Sequence, residues 1–185
     1  MSHPTSPTRP TAPITLTSGG QTGADRAALD FALATKIPHG GWCPKGLVAE
    51  DGPIPLRYAL RVTPMANYLQ RTEWNVRDSD ATIAFASSPR RTGGTKRTVQ
   101  FAAKHAKPCL VLHLDMAREE AASALTTWLA EHHISRLNVA GSRASKAPAI
   151  GEFTTRVLNL AFAATITLGA TPATPKSAPT TTTEA

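Results

Sequence analysis

The chain has 185 residues, a net charge of +7, and 41% apolar but only 5% aromatic residues. That length suits one domain of about 150 residues with tails, its core filled mainly by Ala, Val, Leu and Ile. Composition argues against a membrane span, a secreted precursor or a disulfide scaffold. No apolar run approaches the roughly 18 residues of a membrane span, residues 1–13 lack the apolar centre of a signal peptide, and Cys43 and Cys109 stand without CxxC partners.

The expected location is the cytoplasm. The basic balance suits an anionic partner, or simply solubility. Residues 1–13 are rich in Pro, Thr and Ser, and residues 168–185 in Thr, Pro and Ala. Neither segment offers enough apolar surface to offset the entropy of ordering, so both are expected to be disordered tails around a domain spanning 14–167.

In chain order, residues 14–17 (ITLT) read as a buried strand and 24–35 as a helix. Residues 37–55 read as mostly loop. Thr63 followed by Pro64 predicts a helix start, with Met65, Leu69, Thr72 and Val76 on one face. Residues 81–86 (ATIAFA) are a second strand, 94–107 a helix stopped by Pro108, and 109–114 (CLVLHL) a third strand. Ala121, Leu125, Trp128, Leu129 and His132 mark a further helix, 136–140 (RLNVA) a last strand, and Ile150, Phe153, Val157, Leu160 and Ala164 the final helix. Apolar strands alternating with amphipathic helices predict an α/β fold: a doubly wound, mainly parallel sheet with helices on both faces. Ligands bind such sheets beyond the carboxyl ends of the strands, so the loops after Thr17, Ala86 and Ala140 matter most.

The first of these loops, SGGQTG at 18–23, has three glycines ahead of a helix. Gly19, Gly20 and Gly23 permit positive φ and close approach, while the helix offers free N–H groups and its positive dipole end. With Thr22 and Arg26 nearby, the design suits a phosphate. The spacing is neither GxGxxG nor GK[ST], and a turn that merely packs tightly is the other reading. The second loop, SSPRRTGGTKRT at 87–98, repeats the pattern and holds the densest basic cluster, Arg90, Arg91, Lys96 and Arg97. Thr95 can cap the helix and Thr98 can reach a ligand. The two loops could clamp one ligand from both sides. For Arg90 and Arg91 a solvated loop is the plainer reading.

Glu73 and Arg77 are spaced for a surface ion pair, and Asp78 and Asp80 flank the helix stop. His39, Trp42, Cys43 and Lys45 crowd one loop that can form a pocket wall. Cys43 is a candidate soft ligand or reactive thiol, although a lone cysteine carries little weight. Cys109 reads as core packing, and no His, Asp or Glu cluster has metal-ligand spacing.

The stretches SGGQTGADRAALDFA, IPHGGWCPKG, AEDGPIP, YLQRTEWNVRDSD, TGGT and LNVAGSR, in this order, resemble the molybdenum cofactor carrier proteins. These belong to a Rossmann-like superfamily shared with the "lonely guy" nucleotide hydrolases. The resemblance spans about 14–164. It implies a Rossmann-like domain that self-associates as a dimer or tetramer, and a molybdopterin-type cofactor whose terminal phosphate is bound and whose pterin is shielded from oxidation. Molybdoenzymes or cofactor-biosynthesis proteins follow as partners. Carried onto this chain, the binding residues are Gly19, Gly20, Gln21, Thr22 and Gly23, with Gly93, Gly94, Thr95 and Thr98. Charge and loop position add Arg26, Lys45, Asn75, Arg97 and Arg143.

One departure separates carrier from hydrolase. The hydrolases resembled here carry a PGGxGTxxE-type motif ending in a catalytic glutamate, but the matching offset from Gly93 reaches Gln100, and an amide is no general base. Glu73 is the available substitute. A carrier is therefore the first reading, a nucleotide N-glycosidase or related nucleotide-processing enzyme or sensor the second. A nucleic-acid binder comes third, because basic stretches interleaved with aromatics are absent from the sequence.

Overall fold

A computed structural model describes residues 14–90 and 93–169, with side chains described through 163. The expected tails and Arg91 of the basic cluster lie outside the described residues, apart from 168 and 169, which continue the last helix.

The elements in order are β1 (Thr15–Thr17), α1 (Ala24–Thr35), β2 (His39–Gly40), β3 (Trp42–Cys43), β4 (Val48–Ala49), β5 (Gly52–Pro53), a 3-10 turn at Leu56–Tyr58, β6 (Arg61–Val62), α2 (Tyr68–Arg77), β7 (Ala81–Ala86), α3 (Gly93–Lys104), β8 (Cys109–His113), α4 (Arg118–His132), β9 (Arg136–Gly141) and α5 (Ile150–Gly169). Strands β1, β2, β7, β8 and β9 form one sheet in the order β2-β1-β9-β7-β8, with every pair parallel. β7 is buried along its whole length, as a central strand covered on both faces must be.

The helices divide as right-handed crossovers require. α1 carries the chain from β1 outward to β2, and α4 carries it back from β8 to β9. Both pack with α5 on one face, while α3, running the opposite way from β7 to β8, packs with α2 on the other. Ala28, Phe31 and Ala32 of α1 join Leu125 of α4 and Phe153, Val157 and Leu158 of α5 over Ile83, Leu137 and Val139 of the sheet. Leu29, on the outer side of α1, belongs to a second small core with Cys43, Ala49, Ile54 and Tyr58. The excursion between β2 and α2 folds onto α1 through that core.

The region expected to be mostly loop is thus built from short pairings: β3 with β6 in parallel, and β4 with β5 as a hairpin. Their two-residue length hides them from a pattern search that needs several alternations. The predicted helix start at Thr63 is displaced. The Thr63 hydroxyl donates instead to the carbonyls of Cys43 and Met65, and α2 begins after Asn67, whose side chain accepts from the Gln70 N–H at 2.9 Å. Met65 and Leu69 are consequently exposed rather than on a core face.

Placing β9 before β1 turns the sheet order into 3-2-1-4-5, the order of the classic doubly wound fold. The reversal point then lies between β9 and β7. The β1, β9 and β7 loops stand side by side at the carboxyl edge there, with β9 in the middle.

Candidate functional site

The β1 loop is closely packed. Residues 18–22 are buried, and Gly20 and Gly23 have φ of 77° and 79°. A Cβ on Gly19 would collide with the Arg71 guanidinium, and one on Gly20 would lie 2.8 Å from Leu60 and 3.0 Å from Ile54. The glycine content of SGGQTG therefore admits protein groups on these sides, as the tight-packing reading holds.

Arg71 reaches across Gly19 to Asp25 in the first turn of α1. Its Nη1 donates to Asp25 Oδ2 at 2.8 Å, with side-chain exposures of 12% and 4%. Burial pushes the Asp25 carboxyl above its ordinary value despite the guanidinium beside it. Arg71 lies within the YLQRTEWNVRDSD stretch, yet a single arginine on a helix gives no sequence sign that its partner is a carboxylate 46 positions away.

Gln21 and Thr22 are tied to the β4–β5 hairpin. Gln21 Oε1 accepts from the N–H groups of Thr22 (3.0 Å) and Glu50 (2.9 Å). Thr22 Oγ1 donates to Glu50 Oε1 and accepts from the Ala144 N–H at 3.2 Å. Glu50 also receives the Ser145 N–H (3.0 Å) and hydroxyl (2.5 Å), with Arg143 Nη1 at 3.8 Å. Burial opposes ionisation of Glu50, but the Ser145 and Thr22 hydrogen bonds outweigh it and hold the carboxyl below its usual range. Arg26 is paired with Asp51, one contact being 3.0 Å, and that hydrogen bond lowers the Asp51 carboxyl in turn. Tyr68 lies between two arginines, its ring centroid 5.9 Å from the Arg71 guanidinium and 5.7 Å from that of Arg143.

The β7 loop is open by contrast. Gly93 and Gly94 are exposed, and among the described residues a Cβ on either would meet nothing within 4 Å. Arg97 is exposed and donates to Gln100 at 3.2 Å. Thr95 and Thr98 lie buried inside α3. Thr95 is therefore within the helix rather than its cap, and the Thr98 hydroxyl donates to the Gly94 carbonyl at 3.1 Å. The β1 and β7 loops are separated by β9, about 10 Å at two strand spacings. A ligand with two ends can span them.

Three further candidates are placed as follows. Both ends of the Asn75 amide are engaged by the Trp42 backbone, at 2.8 and 2.9 Å, so Asn75 positions β3. Lys45 is exposed, and its side chain has no partner among the described residues. The Cys43 thiol is fully buried, burial pushes its pKa up, and it contacts the Arg61 carbonyl at 3.4 Å, which is the opposite of an activated thiol.

The Glu73–Arg77 pair does not form. Glu73 binds Lys104 at 2.6 Å and His105 at 3.0 Å, and Arg77 binds Asp78 at 2.7 Å. Lys104 ends α3, about 16 Å along the helix from Gly93 at 1.5 Å per residue. Glu73 thus lies near the far end of α3, about one helical turn beyond Gln100. Gln100 is itself exposed.

The arrangement places arginines, hydroxyls and backbone N–H groups at the carboxyl edge, a donor set directed at anions. Glu50 and Ser145 are the residues that motif reading missed. Glu50 lies inside the AEDGPIP stretch, but nothing local shows that its carboxylate would cross to the β9 loop.

A crystal structure of a "Putative molybdenum carrier protein" from Syntrophus aciditrophicus shares 46% sequence identity with this chain, superposes with a TM-score of 0.78, and is matched over 81% of this chain and 96% of its own. No curated protein matches the chain significantly. Among the described residues, no helix is long and apolar enough to cross a membrane. Residues 16–162 match the model of the circularly permutated YpsA SLOG family. The permuted description accords with the sheet, where β9 occupies the place of a first strand: the chain belongs to the circularly permutated YpsA SLOG family.

Proposed function

We propose that the chain binds and carries the molybdenum cofactor, holding a phosphate-bearing pterin away from oxidants. The observation that carries this reading is the 46% identity, over 96% of its length, to a protein named as a molybdenum carrier. The site fits such cargo chemically: Arg143, Ser145 and Thr22 suit the terminal phosphate, and the open Gly93–Gly94 edge about two strands away leaves room for the rest of an elongated molecule. Most exposed large apolar side chains among the described residues (Val48, Leu56, Val62, Met65, Tyr68 and Leu69) fall between 48 and 69. This concentration of exposed apolar side chains in one segment supports self-association through the 48–69 excursion. Molybdoenzymes or cofactor-assembly proteins are the corresponding recipients and donors, and the cytoplasm is the corresponding compartment.

The test is anaerobic purification followed by metal analysis and mass spectrometry of released small molecules. Molybdenum with a pterin at matching stoichiometry is the expected result. Molybdenum without a pterin would mean an oxyanion carrier, and a nucleotide in place of both would favour the nucleotide-processing reading. For that second reading, base release from AMP or cytokinin nucleotides is the direct assay. Glu73, the substitute carboxylate for that reading, is paired with Lys104 and His105, and loss of base release in Glu73→Gln would assign it the role.

A further inference from the structure

We propose that the β4–β5 hairpin carries a built-in counter-anion: the Glu50 carboxylate fills a phosphate subsite formed by Thr22, Arg143 and Ser145, and a phosphate-bearing ligand enters by displacing it. The proposal rests on the ligand reading above and specifies how that site opens.

The partners of Glu50 are those a phosphate oxygen would choose: a threonine hydroxyl, a serine hydroxyl, a backbone N–H and an arginine, gathered from the β1 and β9 loops. The β9 loop follows the strand that takes first place in the doubly wound order, where such folds bind phosphates, and the β1 loop follows its neighbour. Asp51, the other tip residue, neutralises Arg26 in the same way. The two-residue hairpin tip thus satisfies Thr22, Arg26 and Arg143, which the sequence marks as ligand residues.

A second, independent observation points to a missing ligand. Gln21 is only 5% exposed, and its Nε2 has no hydrogen-bond partner. Its Oε1 is held by the Glu50 N–H, so the unpartnered nitrogen of the same planar amide lies beside the hairpin tip. Arg26 Nε and Arg71 Nε are also buried without partners. A buried donor without an acceptor among the described residues is costly, and of the three the Gln21 nitrogen is the one placed at the Glu50 subsite. An oxyanion with several acceptor atoms meets that need better than one carboxylate does.

The hairpin has little strand pairing of its own to hold it in place. It has only two residue pairs, Val48↔Pro53 and Ala49↔Gly52, and a two-stranded hairpin alone is marginal in water. Its base is fixed, because Ala49 and Ile54 are buried in the small core on α1. Its tip is held through what Glu50 and Asp51 contact, the Thr22, Ser145 and Arg26 groups, so a ligand that takes those partners releases it. A phosphate monoester near neutral pH carries about −1.5 to −2 charge and three acceptor oxygens, against one charge and two oxygens for Glu50.

The test uses the full chain and inorganic phosphate as probe. Glu50→Gln should bind phosphate about tenfold more tightly than the parent by calorimetry, equivalent to 1.4 kcal/mol. Adding Ser145→Ala should return the affinity towards the parent value. A folded Glu50→Gln protein whose phosphate affinity stays within about twofold of the parent overturns the proposal. If Glu50→Gln fails to fold, amide exchange in the parent decides: saturating phosphate should speed exchange at 49–52, and unchanged protection there overturns the proposal. A tenfold phosphate gain in a protein that binds no pterin upholds the subsite and sinks the carrier reading. Pterin binding with no phosphate gain does the reverse.

Discussion

Replacing Arg71 by Met should be among the most damaging single changes in the chain. The Arg71–Asp25 contact is 2.8 Å, with side-chain exposures of 12% and 4%. At an effective dielectric of 20, a unit pair at that distance gains roughly 6 kcal/mol, an amount offset by removing both charges from water. Removing Arg71 alone withdraws the gain but leaves the Asp25 carboxylate buried, so the expected loss is about 3–5 kcal/mol. It also empties the space over Gly19 that the guanidinium fills. The double change Arg71→Met with Asp25→Asn should recover most of that loss, because no unpaired charge remains. Urea unfolding of the parent, both single variants and the double variant supplies the cycle, provided the slope m stays constant. An Arg71→Met protein destabilised by less than 1 kcal/mol would refute the reasoning, since Asp25 would then find water or another partner for its charge.

Gly20→Val should destabilise by at least about 2 kcal/mol, because it combines a positive φ with overpacking against Ile54 and Leu60; thermal melts check this. Gly94→Ala, at a site with open space, should change stability by less than about 1 kcal/mol in the same melts. The Cys43 thiol should react with an alkylating reagent far more slowly in the native protein than in urea, and native-state labelling at the unfolded rate would contradict its burial. Acid should loosen the hairpin. The folded-state pKa values of Glu50 and Asp51 are lowered from 4.5 and 3.8, so their stabilisation is present above those values and lost as pH falls through the lower folded ones. Asp25 has the opposite sign: its raised folded pKa favours the fold below 3.8, and that contribution is lost as pH rises through the folded value. Urea midpoints of the parent and Glu50→Gln across the acid range should therefore converge as pH falls.

The sequence discloses the parts of this fold that local chemistry decides. Helix 24–35 and strand 81–86 are read to the residue, because an alanine-rich helix behind a glycine loop and a six-residue apolar strand need no tertiary information. The excursion at 37–67 is opaque because its order comes from distant partners. Trp42 is held by Asn75, the Thr63 backbone N–H donates to the Cys43 carbonyl, and the hairpin packs on Leu29. The site divides in the same way. Glycines and hydroxyls before a helix mark a candidate anion loop, yet sequence cannot show that carboxylates of the same chain, Glu50 and Asp25, bond to it. Thr22, Arg26 and Arg143 are legible as candidates, while Glu50, Asp51 and Asp25, which engage the loop cations and hydroxyls, are not.

The permuted order gives those carboxylates their reach. In a sheet ordered β2-β1-β9-β7-β8, the last strand enters the centre, so the β1 and β9 loops become neighbours although Thr22 and Ala144 are 122 positions apart. The excursion that follows β2 starts beside β1 and folds back over α1, which brings the hairpin to the seam between those two loops. One acidic tip can then bridge both. Without Glu50, the seam would hold Arg143, the Thr22 and Ser145 hydroxyls and a free Ser145 N–H around an uncompensated positive field. An unliganded protein containing that field would attract any small anion in the cell. A tethered carboxylate supplies a competitor at fixed local concentration, so weak anions are excluded while a ligand with two charges and additional contacts at the Gly93–Gly94 edge can still displace it. Selectivity on this view comes from the free energy of opening the hairpin, which phosphate offsets only at high concentration and a ligand with further contacts at the Gly93–Gly94 edge offsets at low concentration.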